Sequence, residues 1–91
     1  MLIRSQDKEA LLNFNNLTAI YMKKIDKDFA IVYNDFEDAY TLGKYSSEAK
    51  SMKVLDMIQE AYCKFMSVKN DDVWDGKESV FYMPEDSKVK V

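Results

Sequence analysis

Histidine is absent from this 91-residue chain, cysteine and proline occur once each, and glycine occurs twice. Without an imidazole, Ser–His and Cys–His activation of a nucleophile and the ordinary zinc sites are excluded, which removes most small-enzyme chemistry. The single Cys63 cannot close an internal disulfide, and its place at the edge of an apolar helical arc makes it an expected buried or half-buried small hydrophobe. No apolar run approaches the roughly 20 residues that cross a bilayer, and the opening MLIRSQDKEA lacks the continuous apolar core of a secretory signal. The expectation is a cytoplasmic protein with no membrane contact. The basic residues are dispersed in a chain of formal net charge −3, which argues against direct nucleic-acid binding, since phosphate backbones reward clustered Lys and Arg.

What the chain does contain is packing material. With 47% hydrophobic and 13% aromatic residues, it has enough for the single core of one domain over residues 1–91. The organising stretch is Ser46 to Ser67, SSEAKSMKVLDMIQEAYCKFMS. At 100° per residue, Met52, Val54, Leu55, Ile58, Ala61, Tyr62, Cys63, Phe65 and Met66 fall within an arc of roughly 200°. Asp56, Glu60, Lys53, Lys64 and Lys50 take the other side, with Met57 as the one apolar residue there, expected to be exposed. So broad an arc predicts a helix laid across a sheet rather than zipped to a second helix. Ser46 or Ser47 supplies an N-cap oxygen, and Glu48 suits the positive end of the helix dipole.

The remaining segments read as strands. Leu2 to Arg4 and Ala10 to Phe14 come first, followed by a tight turn at Asn15-Asn16 and a strand over Leu17 to Ile25. Asp26-Lys27-Asp28 reverses the chain into Phe29 to Tyr33, whose two faces are both apolar and which is therefore expected at the centre of the sheet. Ala39 to Leu42 returns as a short strand, with Gly43 relaxing the backbone before the helix. Ser79 to Met83 is a last strand stopped by Pro84, and residues 85–91 are expected to fray rather than add as an edge strand. The expected fold is α+β, an antiparallel sheet of four to five strands with one long helix packed across it.

Few residues invite chemistry. Asp71, Asp75 and Gly76 fall at positions 1, 5 and 6 of a calcium loop, but position 3 is Val73 and position 12 is Tyr82, so no metal site is expected. Asp26, Asp28, Asp35, Glu37 and Asp38 lie in two connections that a meander separates to opposite ends of its sheet, with no visible cause for the split pKa values of a hydrolytic pair. Phe36 lies among carboxylates where no strand or helix period explains it, and Trp74 either packs down on the core or stands out as an anchor. Asp35, Phe36, Glu37, Asp38 and Trp74 are therefore the candidate partner-binding residues. Tyr40 and Tyr45 flank the helix entry as candidate exposed aromatics. Lys44, beside the helix N-terminus, is the only obvious start of a basic pocket.

The segments MLIRSQDKEALLNFNN, LGKYSSEAKSMKVLDMIQEAY and VFYMPEDSKVKV together resemble a family of small uncharacterised proteins of phages, prophages and chromosomes of low-GC Gram-positive bacteria. The resemblance covers both ends and the helix and implies a mobile-element context, in which small acidic proteins often inhibit host machinery, anti-CRISPR proteins included. It carries over no functional residue. Together these readings predict a non-enzymatic protein-binding module without a cofactor, a counter-defence inhibitor acting by occlusion of a host or defence protein. The alternative is a small-ligand or signalling-nucleotide sponge, with the ligand held between the protomers of a homodimer.

Overall fold

The computed structural model describes residues 1–16, 19–34, 38–68 and 80–91. Six strands, β1 (Leu2–Arg4), β2 (Leu11–Asn13), β3 (Ala19–Ile25), β4 (Asp28–Asn34), β5 (Ala39–Tyr45) and β6 (Val80–Tyr82), accompany one long helix, α1 (Glu48–Val68). The fold is α+β, but the single antiparallel sheet divides into two three-stranded ones. Sheet B, in the order β3-β4-β5, is the antiparallel meander, and sheet A, in the order β2-β1-β6, is mixed because β6 runs parallel to β1.

The division follows from a local turn. At Ser5 the chain leaves β1, and the Ser5 backbone N–H donates to the Ala10 carbonyl at 2.9 Å. The Ser5 hydroxyl donates to Asp7 Oδ1 at 2.6 Å and accepts the Ala10 N–H at 3.0 Å. A buried serine (3% exposed) thereby closes the loop that ends β1 after three residues. The return to β1 is parallel because β6 arrives only after α1, by a long crossover of the kind parallel neighbours need.

As expected from its two apolar faces, β4 is central. Ile31 and Tyr33 face the core, while Ala30 and Val32 on the other face are buried too. α1 lies against β3, β4 and β5. Its core-facing residues are Ser51, Val54 and Ile58, all buried, with Leu55, Ala61, Tyr62 and Phe65 packed partly against the cluster. Tyr62 stacks on Phe14 with ring centroids 4.7 Å apart. These positions occupy an arc of roughly 120°, not 200°. Met52 (46% exposed), Met66 (39%) and Cys63 all lie off one flank and are exposed. Three strands at about 4.8 Å spacing cannot cover a wider arc, so Cys63 is a surface thiol rather than a buried one. Met57, expected to be exposed, is half-buried. Ser47 is the N-cap, its Oγ accepting the Lys50 N–H at 3.2 Å. The polar Ser51 is fully buried because its hydroxyl lies 2.8 Å from the Glu48 carbonyl oxygen and 2.8 Å from Met22 sulfur.

β5 does not stop before Gly43 but runs on to Tyr45 through a bulge, in which Ile31 pairs with Gly43 and Val32 with Thr41. The extra residue, Leu42, turns its carbonyl to the Gln6 N–H at 2.8 Å. The Gln6 side chain then acts as a surrogate strand: Oε1 accepts the Lys44 N–H at 2.8 Å, and Nε2 donates to the Lys44 carbonyl at 3.1 Å and the Pro84 carbonyl at 3.2 Å. One side chain thus joins both sheets and the segment after β6. Gly43 is required here for space, because a Cβ would lie 3.0 Å from Tyr45 Oη and 3.2 Å from Gln6 Cβ. Tyr45 Oη is tied to the Pro84 carbonyl at 2.8 Å and Gln6 to Lys44, so neither neighbour yields freely. Gly43→Ala is expected to cost about 1 to 3 kcal/mol, and an unchanged urea midpoint would contradict this packing.

Residues 85–91 carry a single 3-10 turn at Asp86–Lys88, and Val89 is buried in the core. Asp86 Oδ1 accepts both the Ser46 N–H (2.8 Å) and the Ser46 hydroxyl (3.1 Å), while Lys50 Nζ lies 3.4 Å from Oδ2. The Ser46 backbone N–H, with smaller help from its hydroxyl and from Lys50, holds the Asp86 carboxyl below the usual carboxylate range. The segment is therefore pinned to the start of α1 as far as Val89, and it neither frays nor pairs as an edge strand there. No helix among the described residues is long and apolar enough to cross a membrane.

Candidate functional site

Of the partner-binding residues read from the sequence, Asp35, Phe36, Glu37 and Trp74 lie outside the described residues, as do Asp71, Asp75 and Gly76 of the calcium-loop comparison. Asp38 is described: it is exposed at the start of β5, and its Oδ2 accepts the Tyr40 hydroxyl at 3.3 Å. Tyr40 is itself exposed (42%), its ring 5.8 Å from that of Tyr33. An aromatic beside a carboxylate therefore does stand at this end of sheet B. Tyr45, the other aromatic at the helix entry, is instead buried at 1% exposure, because the inward-facing end of β5 carries it into the core. Asp26 and Asp28 sit at the β3–β4 turn, the opposite end of β4 from Asp38, so among the described residues these three carboxylates form no single site.

Lys44 does line a cleft, of about 290 Å³, together with Gln6, Asp7, Thr41, Leu42 and Gly43. The Gln6 amide is spent on backbone groups, and Asp7 brings a carboxylate into the same space. The Ser5 hydroxyl, then the Glu9 N–H, stabilises the ionised form of Asp7 and lowers its pKa. A fixed negative charge beside the lysine opposes a phosphate. Among the described residues no three His, Cys, Asp or Glu side chains are grouped as metal ligands.

Sheet A presents the surface that the sequence did not reveal. Alternation places Ile3, Leu12 and Phe81 toward the core, and therefore Leu2, Arg4, Leu11, Val80 and Tyr82 on the outer side. Register aligns Leu11, Arg4 and Tyr82 in one row across the three strands. Leu11 is 51% exposed and Tyr82 61%. Lys8, in the Ser5–Ala10 turn, reaches over the Tyr82 ring with its ammonium 5.8 Å from the centroid. Arg4 Nε donates to the Lys8 carbonyl at 2.9 Å. The exposed flank of α1 is less continuous, because Gln59 separates Met52 from Met66 along the helix. Segments of three residues are too short to show which side of a strand is covered, which is why this row could not be read from the sequence.

Comparison with protein-family models, with curated proteins and with solved structures gives no match.

Proposed function

We propose that the protein is a non-enzymatic protein-binding module, a counter-defence inhibitor that works by occluding a surface of a host or defence protein. The observation that carries the reading is the outer row of sheet A, in which Leu11 and Tyr82 stand more than half exposed on either side of Arg4. A large aromatic and an aliphatic side chain held on paired strands supply contact area at little cost in ordering, and Tyr and Arg are the residues that most often dominate interfaces. The resemblance of the MLIRSQ opening, the GKYS-to-helix junction and the VFYMP segment to phage and prophage proteins supports the mobile-element context. The acidic loop Asp35, Phe36, Glu37, Asp38 and the residue Trp74 are proposed as a second contact, with Tyr40 joining Asp38 there.

The test is affinity capture from a bacterial host, with the co-eluting protein identified and its affinity then measured. Tyr82→Glu and Leu11→Glu are expected to weaken that complex at least tenfold, while the thermal midpoint stays close to wild type because both side chains are largely solvated. For the acidic loop, Phe36→Ala is expected to raise the off-rate and Glu37→Lys to lower the on-rate, with association slowing steeply in salt. Affinity indifferent to all four substitutions would sink the assignment. The Lys44 cleft is the place for the second reading, a small-ligand or nucleotide sponge, but Asp7 beside the lysine disfavours a phosphate there; a tightly co-purified small molecule lost in Lys44→Ala would replace the first reading by it.

A further inference from the structure

We infer that the outer face of sheet A docks an acidic protein segment, one that lays apolar side chains against Leu11 and Tyr82, on either side of Arg4, and carboxylates against Arg4 and Lys8. This rests on the protein-binding reading and adds the chemistry of the partner.

The first observation is charge. The whole chain carries a formal net charge of −3, yet the two charged side chains that the described residues show against this row, Arg4 within it and Lys8 over Tyr82, are cations, while the Asp7 carboxylate of the same turn is engaged by the Ser5 hydroxyl and the Glu9 N–H. Among the described residues the ion pair is that of Lys50 with Asp86, so neither Arg4 nor Lys8 meets a carboxylate there. The second observation is the backbone of Lys8, whose φ is 70°. That left-handed conformation favours glycine or asparagine over a long side chain. The turn fixes it, through the Lys8 N–H to the Ser5 carbonyl at 3.0 Å and Arg4 Nε to the Lys8 carbonyl at 2.9 Å. A lysine held in a conformation that costs folding energy, with its ammonium over an exposed tyrosine, fits a binding role better than a structural one. Carboxylates arriving above that ring would meet both cations, while Leu2 and Val80 continue the apolar floor.

By itself the face is the size of one short extended segment, and the wider contact of an occluded partner would draw on the acidic loop proposed as the second contact. Three strands about 4.8 Å apart and three residues long at about 3.3 Å per residue cover far less than the roughly 800 Å² per partner of a stable interface. Single-stranded nucleic acid would use the same cations with a stacking platform, but here the ring is single, and Arg4 beside it and Lys8 over it leave no run of aromatic faces for successive bases.

The experiment uses the isotope-labelled full chain and backbone amide shifts. Three short peptides share a Leu-Phe-Leu centre and differ in flanks of Glu, Gln or Lys, and a short oligothymidylate is titrated beside them. The Glu-flanked peptide is expected to shift Arg4, Leu11 and Tyr82 saturably and to bind about tenfold more tightly than the Lys-flanked one. Lys8→Gly is expected to leave the thermal midpoint unchanged or raised and to weaken the Glu-flanked peptide several-fold. Equal binding of acidic and basic peptides, shifts elsewhere, no shifts, or tighter binding of the oligothymidylate at this face would each overturn the inference. If Tyr82→Glu abolishes capture of the cellular partner while Lys8→Gly leaves it unchanged, only the acidic assignment falls. If neither variant affects capture, the role of this face in the proposed function falls with it.

Discussion

Replacing Ile58 by alanine is expected to lower stability by about 2 to 5 kcal/mol, read as a lower urea midpoint at an unchanged slope. Ile58 is 4% exposed and belongs to the cluster that includes Ile31, Leu42 and Val54. The neighbours are held by strand pairing and by the helix itself, so the cavity left by three lost carbons closes only in part, and the cost exceeds the transfer free energy of those carbons. Cys63→Ala and Met52→Ala are the controls. Both lie on the exposed flank of α1 and are expected to fall within about 0.5 kcal/mol of wild type. A melt of Ile58→Ala that matched wild type would mean that α1 does not pack on sheet B. A large loss in Cys63→Ala would mean that the helix buries the wider arc after all.

That pair of outcomes also marks what the sequence could and could not convey. The existence of α1 and its inward residues Val54, Ile58, Tyr62 and Phe65 were legible because a 3.6-residue period sustained over five turns has no competing explanation. Its width of contact was not, since burial of Cys63, Met52 and Met66 depends on how many strands lie beneath. The meander β3-β4-β5 was legible from alternation and from the Asp26-Lys27 turn, where Asp26 adopts a left-handed φ of 53°. The parallel pairing of β6 with β1 was not, because a three-residue strand carries no information about direction. Gln6 had no signal as a single polar residue in a polar stretch, and only the bulge at Leu42 makes its amide a bridge between sheets. Of the candidate site, Asp38 is found exposed beside an exposed Tyr40, while the row of Leu11, Arg4 and Tyr82 arises from residues far apart in sequence and brought together by register.

Tyr45 is the other position where a large effect is expected, and its two substitutions separate packing from hydrogen bonding. The side chain is 1% exposed and among the largest in the core, so Tyr45→Ala is expected to cost about 3 to 5 kcal/mol. Tyr45→Phe keeps the ring and loses only the donor to Pro84. The Pro84 carbonyl retains Gln6 Nε2 at 3.2 Å, so it is not orphaned, and about 1 kcal/mol is expected. Ionisation gives a third reading. Burial first, and the nearby Asp86 charge second, raise the phenol well above its ordinary 10.0. A raised folded-state pKa means that the neutral phenol contributes its full stability below the unfolded value near 10 and loses it as pH climbs from there toward the folded value. The stability advantage of wild type over Tyr45→Phe is therefore expected to hold constant at neutral pH and to shrink above about pH 10. The two proteins differ only in this hydroxyl, so the difference between the two urea melts isolates Tyr45. A gap that stayed constant through the alkaline range would mean that the hydroxyl is hydrated and ionises freely, which is incompatible with its place between Gly43 and Pro84.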